Sequence, residues 1–525
     1  MGKLLGPDSL QRLRLYPLLS RVATAMGPQV GVPAPPLASE PPGHGAGPKG
    51  MGLVEALAPT QAFPWPRASA KPRASAKPRV LLKPRVFLKQ MAWAKTTAMK
   101  LTPSMALVGA LALPALGLVA PARLAAQGGI QDLANLPPLP APVGLSQLQE
   151  QVSCPALQQR IAAAVGGEAP VWSVSVVDPG GRLLADLNGR QPRIPASNQK
   201  LVSTAFALDR LGPDYRLSTK LWRLSDGSLR LTGEGDPDFG LEQLRRFAKL
   251  AQGSGGGPGR ASGPIRLQLV EEPAQRWWPA GWSAADRAED YGAPITRLAV
   301  TSNAVEMAVA NPPNRLKQLL GRELAAQGVQ VQISLVTAQA RPDPGAVLLH
   351  EEPSLSMLGL ISEANTHSHN FTSEVLLRQA SGSWDLATAR AAAMQWLQFQ
   401  GLPMAGVVVA DGSGLDRANR LTSRLLAALL LRMAYHPFAR DYQASMAITG
   451  QRGTLRKLFK GTELDGRFHG KTGTISGVRS VSGILDSSAG PRYVSMISNG
   501  ASDPNRTIGQ ILRQVQNANL CPSTP

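Results

Sequence analysis

Two widely separated stretches of this chain alternate apolar with polar residues, and that pattern limits the fold more than any other feature. "VWSVSVVDPGGRLLADLNGR" at 171–190 alternates, turns at Asp178-Pro179-Gly180-Gly181 and alternates again, which predicts an antiparallel hairpin. Towards the other end, "SVSGILD" and "RYVSMISNG" alternate in the same way and read as paired antiparallel strands. The hairpin is followed by "QPRIPASNQKLVSTAFALDRLG", where Pro195 can open a helix whose buried stripe is Leu201, Ala205 and Leu208. The last helix, "RTIGQILRQVQNAN", carries Ile508, Ile511, Leu512 and Val515 on one face. An α/β fold follows, with an antiparallel sheet that takes strands from both ends of the chain and is flanked by helices. With 525 residues, 43% of them hydrophobic, the chain can bury a sizeable core and form more than one lobe.

The formal net charge of +20 is unevenly placed: +12 falls on residues 1–122 and +8 on the rest. The remainder is mildly basic, poor in aromatics and without basic–aromatic interleaving, so no nucleic-acid partner is expected. Residues 1–98 read as a disordered basic extension, because the repeat "RASAKP RASAKP RVLLKP RVFLKQ" places proline too often for a helix. Its charge suits weak association with an anionic membrane surface. In 99–126, Lys100 precedes an apolar run from Met105 to Val119 and small-residue cleavage sites at Ala122 or Ala126. That is the layout of a signal peptide, with Met91 or Met99 as its start, and it predicts a periplasmic, exported protein. Residues 127–150 read as a linker, 151–224 and 341–521 as two parts of a catalytic domain, and 225–340 as inserted β-rich domains joined by glycine-rich turns.

Three short segments carry chemistry. Ser197 and Lys200 stand three apart at the start of a helix, within side-chain reach of each other. A serine hydroxyl is a poor nucleophile until its proton is taken, and a desolvated, neutral lysine can take it. Ser368-His369-Asn370 interrupts a helical stretch, where a hydroxyl and an amide can project into a cleft. Lys471-Thr472-Gly473-Thr474 opens a strand with a cation, two hydroxyls and a bare backbone. His367 and His369 have no third ligand at a suitable spacing, and Cys154 and Cys521 have none either, so no metal is expected.

S-x-x-K, S-x-N and KTG in this order form the signature of penicillin-binding proteins and serine β-lactamases. "RIPASNQK", "GEGDP" at 233–237, "EANTHSHNFTSEVLLR", "DGSGLDRANRLT" at 411–422 and "KTGT" further resemble the D-alanyl-D-alanine carboxypeptidase/endopeptidase family, the class C low-molecular-mass penicillin-binding proteins. The resemblance covers roughly 150–520. It implies the penicillin-binding/serine β-lactamase-like transpeptidase sandwich, action on peptidoglycan stem peptides, acylation by β-lactams and no cofactor. Ser197 would be the nucleophile and Lys200 its base, with the nearby charge of Lys471 helping to keep it neutral. Ser368 would relay the proton to the leaving amine and Asn370 would position the acyl chain. The KTGT strand would take the substrate along its edge, with Thr472 and Thr474 on the terminal carboxylate and Gly473 letting the peptide approach. The N–H groups of Ser197 and Thr474 would form the oxyanion hole. Two positions depart from the pattern: His369 occupies a variable place, and Asp416 stands where relatives often carry serine.

The resemblance also implies a disulfide between Cys154 and Cys521, because the relatives' fold packs the first and last helices side by side; two unpaired thiols are the alternative. A serine β-lactamase and a catalytically silent peptidoglycan-binding protein remain competing readings. Neither the split between carboxypeptidase and endopeptidase action nor an oligomeric state is specified by these residues.

Overall fold

The computed structural model describes residues 148–254, 263–338, 343–517 and Cys521. The extension at 1–98, the signal segment at 99–126 and nearly all of the linker lie outside the described residues. Helix α1 (Pro155–Val165) precedes the hairpin β1 (Trp172–Val177) and β2 (Leu183–Leu187). A 3-10 turn, Ala196–Asn198, leads into α2 (Gln199–Leu211). Strands β3 (Ser218–Arg223) and β4 (Leu229–Gly233), helix α3 (Leu241–Ser254), strand β5 (Ile265–Glu271), helix α4 (Pro312–Ala325) and strands β6 (Val331–Thr337) and β7 (Val347–Pro353) follow. Helices α5 (Met357–Thr366), α6 (Asn370–Ser381), α7 (Leu386–Phe399) and α8 (Ser423–Ala434) come next. The C-terminal part is β8 (Ala447–Ile448), β9 (Phe468–Ile475), β10 (Val478–Ser487), β11 (Gly490–Asn499) and α9 (Pro504–Gln516).

The first sheet has the order β8-β9-β10-β11-β1-β2, all antiparallel, so the last long strand pairs with the first. Strand β1 is buried along its whole length because both faces of the sheet are covered. Trp172, Val174 and Val176 face a core with Leu157 and Ile161 of α1 and Ile508, Ile511 and Leu512 of α9. On the other face, Val177, Ile484, Tyr493 and Ile497 join the apolar sides of α2, α5, α6 and α8. Helices above and below one antiparallel sheet make the sandwich expected from the alternating segments.

The region between the catalytic segments differs from the expected set of small β-rich domains. Its main element is one five-stranded sheet, β6-β5-β4-β3-β7, starting at Ser218 and ending at Pro353, beyond the expected limits of 225–340 on both sides, beside a two-stranded sheet of Ala304–Val305 and Met307–Ala308. Strands β4, β5 and β6 pair in parallel. Parallel neighbours need a long crossover, and α3 and α4 belong to the two that join them. Leu244, Phe247, Ala248 and Ala251 on α3 and Leu316, Leu320 and Leu324 on α4 cover Leu229, Leu231, Leu267 and Leu269. The helical spacing of those residues was the signal that the short alternating runs obscured.

Cys154, which caps α1, is bonded to Cys521, with an S–S distance of 2.07 Å and both residues buried. The bridge closes a loop across a sequence separation of 367. Chain entropy sets a ceiling of about 5–6 kcal/mol for such a loop, and bridges of this kind usually deliver ~2–4 kcal/mol. Cys521→Ser should therefore lower the melting temperature by at least about 3 °C in a calorimetric scan. Acylation of Ser197 should persist, because neither cysteine belongs to the catalytic segments. An unchanged melting temperature would show that the bridge carries no stability.

Candidate active site

The turn before α2 is fixed to the sheet from several directions. Asn499 accepts from the Ile194 N–H (3.0 Å) and donates to its carbonyl (3.1 Å). Ser480 Oγ donates to the Pro195 carbonyl at 2.6 Å. The buried Asn198 amide lies 2.8 Å from Ser482 Oγ, oriented so that its nitrogen donates to the Lys471 carbonyl, also at 2.8 Å. Ala196 is held at φ 46°, an unusual conformation for a residue with a side chain. Ser197 therefore sits in a 3-10 turn rather than inside the helix, and Lys200 in the first turn of α2 reaches back to it.

Lys200 is completely buried. Its Nζ lies 3.0 Å from Ser197 Oγ, 2.6 Å from Asn370 Oδ1 and 2.7 Å from the Ser413 carbonyl. Burial lowers its pKa to about 7, while the negative charges of Asp411 and Glu374 oppose the shift. Desolvation, one of the two expected causes, favours the neutral form of Lys200; the charge of Lys471, expected to help, is not among the causes of its shift. Lys471, also fully buried, is itself held well below the ordinary lysine range by burial, by Lys200 and by Arg479. Its Nζ donates to Ser368 Oγ at 2.9 Å and to the Thr472 carbonyl at 2.7 Å.

Ser368 lies between α5 and α6 at φ 65°, and Asn370 opens α6. Asn370 Nδ2 donates to the Tyr291 carbonyl at 2.9 Å, so the segment 277–292 of the inserted region reaches the site. His369, the variable middle residue, is 2.7 Å from Thr372 Oγ1 and 3.7 Å from Glu363 and is not among Lys200's partners.

Strand β9 carries KTGT, and β8 covers its outer edge only at His469 and Gly470. Thr472 Oγ1 donates to Thr454 Oγ1 at 2.8 Å. Thr474 is exposed and accepts from the Arg479 guanidinium. A Cβ on Gly473 would sit 2.2 Å from Ser480 Oγ, 2.7 Å from the Pro195 carbonyl and 3.0 Å from the Ser197 nitrogen. The bare position is thus needed for the turn that carries Ser197, whereas the expected reason was access for the peptide.

Sequence reasoning missed Glu374. It is fully buried on α6, one turn beyond Asn370, where Oε1 accepts from the N–H groups of Gly412 (2.8 Å) and Ser413 (2.9 Å). Arg378 Nη1 donates to its other oxygen at 2.8 Å. A charged pair four apart, flanking the apolar Val375-Leu376-Leu377, was the available signal. Asp411 holds the rest of that loop by accepting from the N–H groups of Gly414 and Asp416 (both 2.7 Å), from Asn419 Nδ2 (2.7 Å) and from Trp282 Nε1 (2.8 Å). Trp277 and Trp282 are buried packing residues. Asp416 accepts from the Ala418 N–H at 2.8 Å and shapes the turn. Arg479 was also missed, because it lies outside all three motifs.

The profile of the D-Ala-D-Ala carboxypeptidase 3 (S13) family matches residues 157–315 and 303–517. The chain is 25% identical over 454 residues to the D-alanyl-D-alanine carboxypeptidase of an Actinomadura species, a match covering 69% of this chain and 82% of that protein. It is also 25% identical over 395 residues to a carboxypeptidase of Mycobacterium tuberculosis, covering 65% of this chain and 81% of the other. The fold is similar to that of penicillin binding protein 4 from Haemophilus influenzae, with a TM-score of 0.58 and 17% identity over 69% of this chain and 99% of that one.

Gly473→Ala should force the Ser197 turn away from β9. The rate of covalent labelling by benzylpenicillin should fall by at least ~100-fold, the cost of ångström-scale misplacement of reacting groups, while the protein stays folded. Labelling at the native rate would show that the contact is not critical.

Proposed function

Since this chain belongs to the D-Ala-D-Ala carboxypeptidase 3 (S13) family, a family of serine peptidases, we propose that its two-lysine site cleaves the D-Ala-D-Ala bond of peptidoglycan stem peptides through an acyl-enzyme on Ser197. One observation carries the assignment of roles: Lys200 Nζ has three partners, and two of them, Asn370 Oδ1 and the Ser413 carbonyl, can only accept. A neutral amine spends its two N–H groups on those acceptors. Its lone pair is then left facing Ser197 Oγ, the one partner that carries a proton to give.

Ser197 Oγ attacks the carbonyl of the penultimate D-alanine as its proton passes to Lys200. The oxygen that gains charge is received by the N–H groups of Ser197 and Thr474. Ser368, hydrogen-bonded to Lys471, delivers a proton to the nitrogen of the departing residue as the C–N bond breaks, and the proton that Lys200 took from Ser197 passes on to replace it, which returns Lys200 to its neutral form. Asn370 holds Lys200 and the acyl chain together. Water then attacks the ester, Lys200 takes a proton from it, and Ser197 is released with its hydroxyl restored. The exposed edge of β9 receives the extended peptide as an added strand, with the Thr474 hydroxyl and the Lys471 charge towards the terminal carboxylate. Thr472 is engaged with Thr454 and serves the strand's conformation before it serves the ligand. A β-lactam amide enters as the peptide bond does and acylates the same serine. A cross-linking amine in place of the terminal residue gives an endopeptidase reaction by identical steps.

Ser197→Ala should abolish both peptide hydrolysis and the benzylpenicillin adduct seen by mass spectrometry. Lys200→Ala should slow acylation by at least ~100-fold, the usual scale for a general base. The sign of the pH dependence follows from the reactive form: neutral Lys200 accumulates as pH rises through about 7, so the acylation rate should climb across that value. A flat stopped-flow profile between about pH 5 and 9 would remove Lys200 as the base.

We also propose export to the periplasm, which the charged and apolar layout of 99–126 supports. N-terminal sequencing of the secreted protein should find processing after Ala122 or Ala126; a mature chain retaining residues before Met91 would refute it.

A further inference from the structure

Between β8 and β9 the chain makes a compact excursion whose ends meet. The Thr449 N–H donates to the Phe468 carbonyl at 3.1 Å, and the Gly466 N–H donates to the Thr449 carbonyl at 2.9 Å. Leu455 and Leu464 are buried in the core shared with α1 and α9, and Leu458 and Phe459 pack against it. Glu463 Oε1 accepts from Arg513 Nε of α9 at 2.5 Å, and the Glu463 carbonyl accepts from Gln516 Nε2 at 3.1 Å. A loop with closed ends and its own apolar packing holds its surface side chains in fixed places.

What this loop presents is positive charge. From Thr449 to Phe468 stand five Lys or Arg and two Asp or Glu, a net +3 against the +8 of residues 123–525. Both acids are engaged locally: Glu463 pairs with Arg513, and Asp465 Oδ2 accepts from the Gly461 N–H at 2.8 Å. Arg452, Arg456, Lys457, Lys460 and Arg467 are exposed, and among the described residues no carboxylate forms an ion pair with any of them. Crowded like charges repel one another, and a bound polyanion removes that cost. The loop is also continuous with the cleft. Thr454 accepts from Thr472 of the KTGT strand at 2.8 Å, and a Cβ on Gly453 would sit 2.3 Å from the carbonyl of Thr366, two residues before Ser368. The cations therefore flank the side of the site where Ser368 and Lys471 serve the departing group.

We propose that the 449–468 loop docks the enzyme onto assembled, polyanionic peptidoglycan, with Arg456, Lys457, Lys460 and Arg467 against stem peptides neighbouring the one in the cleft. The inference rests on the proposed action on stem peptides. Every stem peptide that still ends in D-alanine carries a terminal carboxylate, so an assembled wall is a polyanion. A short soluble peptide brings only the carboxylate that the cleft itself takes. The loop thus favours polymer over isolated peptide without touching the reacting atoms, adding affinity and encounter rate through several weak contacts.

The test pellets the full chain with purified insoluble peptidoglycan sacculi and assays it on a soluble diacylated L-Lys-D-Ala-D-Ala tripeptide. The triple variant Arg456→Gln/Lys457→Gln/Lys460→Gln should raise the apparent Kd for sacculi by ~10-fold at low ionic strength, the scale of three exposed ionic contacts. The difference should vanish near about 1 M salt, where charges are screened beyond ~3 Å. Its kcat/KM for the tripeptide should stay within ~2-fold of the unmodified enzyme. Equal losses on sacculi and tripeptide would assign the loop to holding β9 and overturn the proposal, as would unchanged sacculus binding. Arg245→Gln/Lys249→Gln/Arg322→Gln removes the same charge from exposed positions on α3 and α4 and should leave sacculus binding intact. An equal loss there would reduce the effect to net charge and overturn the docking face. Vesicles of phosphatidylglycerol in phosphatidylcholine test the other polyanion: a triple variant that loses vesicle binding but keeps sacculus binding overturns the proposal in favour of a membrane surface. Should the triple variant not fold, the unmodified protein still decides, because sacculus binding that salt does not weaken removes the ionic platform. Ser197→Ala separates the two levels, since it should bind sacculi normally and hydrolyse nothing. Tripeptide hydrolysis that survives it defeats the acyl-enzyme reading, and the pelleting result still decides the docking loop.

Discussion

A lysine amine enclosed by protein, with Ser197 Oγ, Asn370 Oδ1 and the Ser413 carbonyl as its partners, is the constraint around which the site is arranged. Each partner comes from a different part of the chain: the 3-10 turn at 196–198, the start of α6 and the loop that begins at Asp411. An ammonium could not be kept there without carboxylates near, and a neutral amine could not be kept there with too many. Asp411 and Glu374 stabilise the charged form while burial destabilises it, and the outcome near 7 is suited to a base working at neutral pH.

The same two carboxylates are structural before they are electrostatic. Glu374 ties two backbone N–H groups of the 411–419 loop to α6, and Asp411 folds the loop upon itself and reaches Trp282 of the inserted region. Burial, and then the charge of Asp411, push the Glu374 carboxyl above its ordinary range, and the hydrogen bonds it accepts oppose that shift. Glu374 pairs with Arg378 to the same end. The loop, the helix and the inserted segment are thus coupled through charge, and Asn370 extends that coupling to the Tyr291 carbonyl. Tyr291 belongs to none of the three sheets among the described residues, so the inserted region reaches the candidate site through a connecting segment.

Two buried lysines within electrostatic reach of each other also divide the labour. Lys200 faces Ser197, whereas Lys471 faces Ser368 and carries the larger burden of repulsion, from Lys200 on one side and Arg479 on the other. An anion bound near Thr474 and Arg479 would relieve part of that repulsion.

Much of this was legible in the sequence because it is written in local patterns. Period-two alternation in the 171–190 hairpin and in "RYVSMISNG" specified strands, helical spacing specified α2 and α9, and the order Ser197-x-x-Lys200, Ser368-His369-Asn370, Lys471-Thr472-Gly473 specified the family resemblance. What the sequence could not express is which groups meet across the fold. The parallel sheet of the insertion depended on non-local pairing between β4, β5 and β6, so its strands looked like isolated short runs. Gly473 was recognisable as a position without a side chain, but only the packed structure shows that Pro195 and Ser197 occupy the space a Cβ would need. Glu374 and Arg479 carry no motif, since their roles arise from burial and from neighbours far away in the chain. Residue types and spacings determine the available chemistry and the local conformation; desolvation and the summed field of distant charges exist only once the chain has folded, and they decide which lysine can act as a base.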